Sequence, residues 1–463
     1  MTATSARPAE LTGRVVHPGD AEYPTARLSW NLRFSHEPAV IVFARETHDV
    51  VNALAWAREH AMPVRVRSGG HCLEGWSTVD DGIVIDVSEM KSATIDANAH
   101  TATVGAGLKQ LEAVTALGEA GFAAPTGTEG TVGLVGATLG GGFGLLTRNF
   151  GMASDNLLAA EIVIAAKDGA VQVLTVDETN HADLLWALRG AGNGNFGIVT
   201  SLTYRVRPLT QAIYVTATWP GLDTLADVFE AWQRSAPHTD DRLTSQLEIR
   251  RDEVQLIGAL APGSEAEAKE MLASILSVGA PTVTIVDGTW ADIYAGFQIP
   301  TPDEPQNWMF KSQFIYQPYP VEAIEVVRTF MAKAPTPECN YFTNAFGGAV
   351  AGSEPSGGSV FAHRDALFYA EPGAGWGIRG AGIPASEDPL TVPLQEWIEE
   401  FAAALAPHVD GAYVNVPNAG MPGWESAYWG AGVDRLRTIK AKYDPDDVFT
   451  FEQSIQPAVP RPQ

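Results

Sequence analysis

Cysteine is scarce: the chain has two, Cys72 and Cys339, in 463 residues. No CxxC pair and no His/Cys cluster at zinc-like spacing occurs, which argues against a zinc module. Two thiols so far apart fit a reducing cytosol better than a lone disulfide, so a cytoplasmic location is expected. Positive charge is also scarce. Thirty Lys and Arg stand against 55 Asp and Glu, a net charge of −25. That balance speaks against nucleic acid, polyanionic substrates and anionic membrane surfaces as partners, although a local basic site can persist. No apolar run is long enough to span a bilayer, and the first twenty residues lack the apolar segment of a signal peptide. What remains is the composition of a soluble globular protein, 45% hydrophobic and 18% charged. Its length is too great for one compact core and predicts two domains, or one discontinuous pair.

Glycine is plentiful, at 45 residues, and it is clustered. The first cluster lies in VRVRSGGHCLEGWSTVDDGIVID, residues 64 to 86. A β-rich run ends at Ser68-Gly69-Gly70, His71 follows, and a second strand begins at Gly82. Paired glycines let backbone N–H groups approach a ligand closely, and successive N–H groups in such a turn form an anion-binding nest. An imidazole at the rim of that turn suggests metal ligation, acid–base work or covalent attachment of a cofactor. The second cluster runs from Pro125 to Gly144. It is too glycine-rich for a good helix or strand interior, yet interleaved Val, Leu and Phe mark it as packed rather than mobile. The third, Gly190 to Gly197, precedes a strand from Ile198 to Val206.

Between the clusters the pattern is β–α–β. Val40 to Ala44 reads as a strand, Thr47 to His60 as a helix with threonine as N-cap, and Leu108 to Glu119 as a helix. Lys167-Asp168-Gly169 between two apolar runs reads as a hairpin. From about residue 210 the texture changes. Strand-like runs (Tyr214 to Trp219, Ser245 to Ile249, Val254 to Leu260) alternate with amphipathic helices (Leu222 to Arg234, Glu265 to Leu276, Val321 to Lys333). Ala412 to Val416 (a strand), Trp424 to Tyr443 (a helix) and a tail to Ile455 resume the earlier style. The expected fold class is α+β: a two-part first domain, residues 1–208 and 406–463, and a second domain, residues 209–405, built on an antiparallel sheet covered by helices.

Four stretches, RSGGH at 67–71, the glycine run at 130–156 ending GMASDN, RGAGNGNFGIVT at 189–200 and YDPDDVFTFEQSI at 443–455, carry a family resemblance. The chain resembles berberine-bridge-enzyme-like FAD-linked oxidases of the vanillyl-alcohol-oxidase superfamily, whose FAD-binding domain is of the PCMH type. It is most similar to the singly linked bacterial branch that includes 6-hydroxynicotine oxidase. The resemblance implies FAD in an extended form. Backbone amides of Arg67, Ser68, Gly69 and Gly70 should hold the pyrophosphate. Gly127, Thr128, Glu129, Gly133, Gly136, Gly140, Gly141 and Gly142 should lie along the cofactor, and Asp155 closes that motif. Gly194, Gly197 and Val199 should pack near the adenosine part. Tyr413, Asn415 and Gln453 should reach the flavin. His71 should carry the 8α-methyl carbon of the flavin on its imidazole, a competent nucleophile when neutral.

Three positions depart from the family pattern. The cysteine that makes a second covalent link in many relatives is Glu129 here, so attachment through His71 alone is expected. Cys72 does not occupy that motif. A tyrosine often found two residues after the histidine is Leu73. The base tyrosine that many oxidases carry in Tyr-x-Asn-Tyr is Val416, in Tyr413-Val414-Asn415-Val416. Candidate replacements for the base are Glu129, Tyr413 and Tyr428, with Tyr341 and His363 as further options; His363-Arg364 also reads as a structural pair. The resemblance thus implies hydride transfer to FAD from a C–H beside a hydroxyl or amine, with O2 as acceptor giving H2O2. A small, fairly apolar alcohol, amine or secondary metabolite suits Leu73 and Val416 better than a sugar does. The alternatives are a dehydrogenase with another acceptor and a flavin-binding protein with impaired catalysis.

Overall fold

The computed structural model describes residues 10–458. Its first half holds two sheets. In one, Val40–Phe43, Ile83–Asp86 and Val64–Arg67 run parallel, with Arg14–Val16 antiparallel at the edge. Parallel strands must be covered on both faces, and all four residues of Val40–Phe43 and of Ile83–Asp86 are buried. The helix Thr47–Glu59 covers one face with Val50, Ala53, Leu54 and Ala57. Its N-cap is Glu46, not Thr47: the Asp49 carboxylate turns back to accept the Arg45 and Glu46 amides at 3.0 and 3.3 Å. The second sheet is antiparallel, in the order 93–96, 101–105, 198–205, 157–165 and 171–176. The last two strands are the hairpin expected around residues 167–169.

One hydrophobic core joins both sheets, and it takes in Leu436, Ile439, Tyr443, Phe449 and Ile455 from the end of the chain. Lys440 anchors this return. Fully buried, it pairs with Asp444 at 2.6 Å and donates to the carbonyls of Asn195 and Phe449 at 2.8 and 2.7 Å.

The middle of the chain forms an eight-stranded antiparallel sheet. Period-two alternation divides its faces. Phe368, Ala370, Ala374 and Trp376 share a core with the helices Leu225–Ser235, Val321–Ala332 and Thr391–Leu405. Tyr369 and Glu371 therefore point the other way, toward the first half of the molecule.

Three local expectations need correction. Residues 412–416 form a tight turn rather than a strand: the Val416 amide donates to the Tyr413 carbonyl at 2.9 Å, and the two residues pair only with each other. The expected helix from Trp424 to Tyr443 is two, Trp424–Trp429 and Val433–Tyr443, broken where Gly430 takes a φ of 49°. The glycine run contains a short helix, Leu134–Leu139, because its own interior holds one glycine, Gly136, while Gly133 and Gly140 sit at its ends.

Candidate cofactor cleft and active site

The glycine clusters meet at one partly open cleft. Residues from all four sequence stretches line it: Ser68 to His71, Gly133 and Gly136, Gly194, Gly197 and Val199, and Gln453. Asn415 and Tyr428 also reach its wall. The glycines at its centre are there for contact. A Cβ on Gly69 would overlap the Gly133 backbone nitrogen, and one on Gly133 would crowd Gly69 in return. The two turns therefore touch backbone to backbone. A Cβ on Gly70 or Gly136 would meet no protein atom within 4 Å, so these residues leave the adjoining space clear. Three buried polar atoms on lining residues have no protein partner: Arg65 Nε, Ser77 Oγ and Asn193 Oδ1. A narrow cleft walled by bare backbone and holding orphaned donors and acceptors fits an extended polar ligand.

His71 lies half-buried on the cleft wall, stacked on Trp30 with ring centroids 4.8 Å apart. Trp30 is held in turn by its Nε1–H to Glu304 Oε2 at 2.6 Å. Burial pushes the His71 pKa down to about 3, helped by the charges of Lys109 and Arg379. The imidazole is neutral across the physiological range. Its Nε2 contacts Thr131 Oγ1 at 3.0 Å, and that hydroxyl donates to Glu129 Oε1 at 2.7 Å. Glu129 thus stands two contacts from the histidine.

Other expected site residues lie elsewhere. The Arg67 side chain turns into the core, ion-paired with Asp86 and donating to the Ala26 carbonyl at 2.6 Å. Arg65, missed in the sequence, borders the cleft instead. Asp155 sits outside the lining, in a buried pair with Arg364 at 2.5 Å that ties the two halves of the molecule together. Gly127, Thr128, Glu129, Gly140, Gly141 and Gly142 flank the cleft without lining it. Gly140 packs against Asn415, and the Gly142 amide donates to Tyr413 Oη at 2.8 Å.

The tyrosines are each held by hydrogen bonds to neighbouring residues. Tyr413 Oη also accepts Asn415 Nδ2 at 2.7 Å, and burial raises its pKa. Tyr428 accepts the Asn418 amide at 3.0 Å and donates to Gln453 at 2.7 Å; burial raises its pKa too. Tyr341 bonds Tyr319 in the helix-side core, away from the cleft. His363 stacks on Phe314 at 3.9 Å and contacts Tyr316 Oη at 2.7 Å; burial lowers its pKa to about 4.

One residue that sequence reading passed over has the character of a base. Glu371 projects from the face of the middle sheet opposite the helices Leu225–Ser235, Val321–Ala332 and Thr391–Leu405. Burial raises its pKa to about 7, against the hydrogen bond from Tyr369 that favours the ionised form. The Tyr369 ring lies 5.7 Å from that of Tyr413, and Phe143 fills the gap at 4.8 and 5.1 Å from the two. Glu371 is thus connected, through Tyr369 and Tyr413, to Asn415 on the cleft wall. Its signal in the sequence was a lone carboxylate in the apolar run Ala366 to Trp376. A group titrating near neutrality in an apolar surrounding is suited to proton transfer.

The comparisons with known proteins agree with this geometry. Residues 38–175 match the FAD binding domain family, and residues 412–456 match the family described as berberine and berberine like. YgaK of Bacillus subtilis, an uncharacterised FAD-linked oxidoreductase, is 39% identical over 451 residues, covering 97% of this chain and 98% of its own. The chain belongs to the berberine-bridge-like FAD-linked oxidoreductases. (R)-6-hydroxynicotine oxidase of Paenarthrobacter nicotinovorans is 32% identical over 255 residues, 55% of each chain. Among solved structures, the berberine-bridge-enzyme-like protein 1 of Physcomitrella patens superposes with a TM-score of 0.87 at 27% identity, covering 96% of both chains. The protein is thus an FAD-linked oxidoreductase with the α+β architecture of that family.

Proposed function

We propose that the protein is an oxidase of a small alcohol or amine, with FAD attached through His71 alone and O2 as its electron acceptor. The observation that carries this reading is the convergence on one cleft of a neutral, exposed-edge imidazole, a glycine-walled groove and, behind its wall, a carboxyl that titrates near pH 7. When bound, FAD supplies the hydride acceptor. The cleft residues along 68–70, 133–136 and 194–199 would hold it. His71 tethers it, and Glu129 in place of a cysteine leaves no second thioether.

Glu371 is the base in this account, in preference to Glu129, Tyr413 and Tyr428. Tyr369 occupies Oε2 of Glu371, so Oε1 receives the proton from the substrate hydroxyl or ammonium as the neighbouring C–H is broken. Leu73, an apolar side chain on the cleft wall, favours a substrate with little polar surface. Anaerobic mixing with a panel of alcohols and amines tests the reading. Bleaching of the flavin, followed by peroxide on admitting air, is expected. Bleaching without reoxidation by air would make the protein a dehydrogenase. No bleaching with any alcohol or amine would overturn the activity.

A further inference from the structure

Glu129 stands at the position where a cysteine would provide a second link, yet its carboxylate is not idle. Its Oε1 accepts two hydrogen bonds from Thr131, one from the amide at 2.9 Å and one from the hydroxyl at 2.7 Å. A threonine hydroxyl has a single proton. With that proton given to Glu129, Thr131 Oγ1 can only accept from His71. The 3.0 Å contact therefore requires that His71 Nε2 carries the imidazole proton. In a neutral ring this leaves the lone pair on Nδ1. The stack of Trp30 on the imidazole holds the ring plane while Thr131 fixes its rotation.

We infer that Glu129 and Thr131 form a proton relay that drives covalent attachment of the flavin to His71, by leaving the lone pair of the neutral ring on Nδ1. This rests on the His71 tether of the proposed function. In the attachment step, a bond forms between Nδ1 and the 8α-carbon, and one C–H bond of that methyl group breaks. The methyl proton goes to solvent. The Nε2 proton passes through Thr131 Oγ1 to Glu129, which keeps the alkylated imidazole neutral. The two electrons released reduce the ring system, and a two-electron acceptor, dioxygen, removes them. The direction of every hydrogen bond in the resting chain, Nε2–H to Oγ1 and Oγ1–H to Oε1, already matches this flow. Glu129 and Thr131 are positioning residues for His71, not catalytic residues of substrate oxidation.

The test uses the full-length chain produced under riboflavin limitation, mixed with FAD in air. Acid precipitation at timed intervals separates linked from free flavin. Wild type should link the flavin to completion. Glu129→Gln and Thr131→Val should bind FAD with affinity within threefold of wild type but link it about 100-fold more slowly, the scale of a lost general base. Thr131→Ser, which keeps the hydroxyl, should restore the rate to within fivefold. Imidazole buffer should accelerate Glu129→Gln in proportion to its concentration and leave wild type unchanged, a response that a merely structural role would not give. NMR of the flavin peptide from wild type should show substitution at Nδ1. Linking in Glu129→Gln and Thr131→Val within threefold of wild type, or substitution at Nε2, overturns the relay. Absence of linked flavin in wild type would instead overturn the His71 tether itself.

Discussion

Replacing Glu371 with Gln separates its chemical role from its energetic cost. Burial moves its pKa from the ordinary 4.5 to about 7. Each pH unit of displacement is about 1.4 kcal/mol between the two protonation states, so the folded protein disfavours this carboxylate by about 3 kcal/mol. The sign follows from proton binding. Between pH 4.5 and 7 the folded state holds a proton that the unfolded chain has lost, so stability falls as pH rises through that window. Above pH 7 the whole penalty is present, and below 4.5 it is absent. A glutamine keeps the shape and carries no titration. Denaturant unfolding should therefore show Glu371→Gln gaining about 3 kcal/mol relative to wild type between pH 4.5 and pH 8, where both are compared at each pH. Over the same range the anaerobic flavin-reduction rate of wild type should rise through a midpoint near 7. The rate in the variant should be lower by about 100-fold or more and flat with pH. A stability difference that does not change with pH would refute the buried carboxyl. A variant that reduces its flavin at the wild-type rate would refute the base.

Other consequences follow from particular contacts. Gly69→Ala should destroy FAD binding, because its Cβ meets the Gly133 backbone and not a movable side chain; flavin absorbance of the purified variant checks this. Asp155→Ala should cost about 3 kcal/mol in chemical denaturation by leaving Arg364 buried without its partner, while flavin content stays at the wild-type level. Loss of flavin with unchanged stability would return Asp155 to the cofactor site. Lys440→Met should cost about 3–5 kcal/mol, since it strands the buried Asp444, and should loosen the flavin, because Phe449 to Phe451 line the cleft.

The sequence was informative where a physical constraint is local. The glycine turns, the hairpin at 167–169 and the alternation in the middle sheet could each be read from neighbouring residues. So could the return of the tail to the first core, through its repeated texture and motif. What escaped reading depends on the third dimension. Arg65 and Arg67 alternate identically on one strand, and only the position of Asp86 decides which of them turns inward. Asp155 ends a glycine motif, but its partner lies about two hundred residues away at Arg364. The Tyr413 turn could not be distinguished from a strand, because its pairing is with itself across three residues. Glu371 was hidden by its own surroundings: a carboxylate in an apolar strand has meaning only once the face it occupies is known.

The most direct test of the account is the intact mass of the acid-denatured protein. Wild type should carry the mass of one FAD on every chain, and His71→Ala should show the bare polypeptide with FAD free in the supernatant. Bare wild-type chain, or retention of flavin by His71→Ala, would contradict attachment through His71.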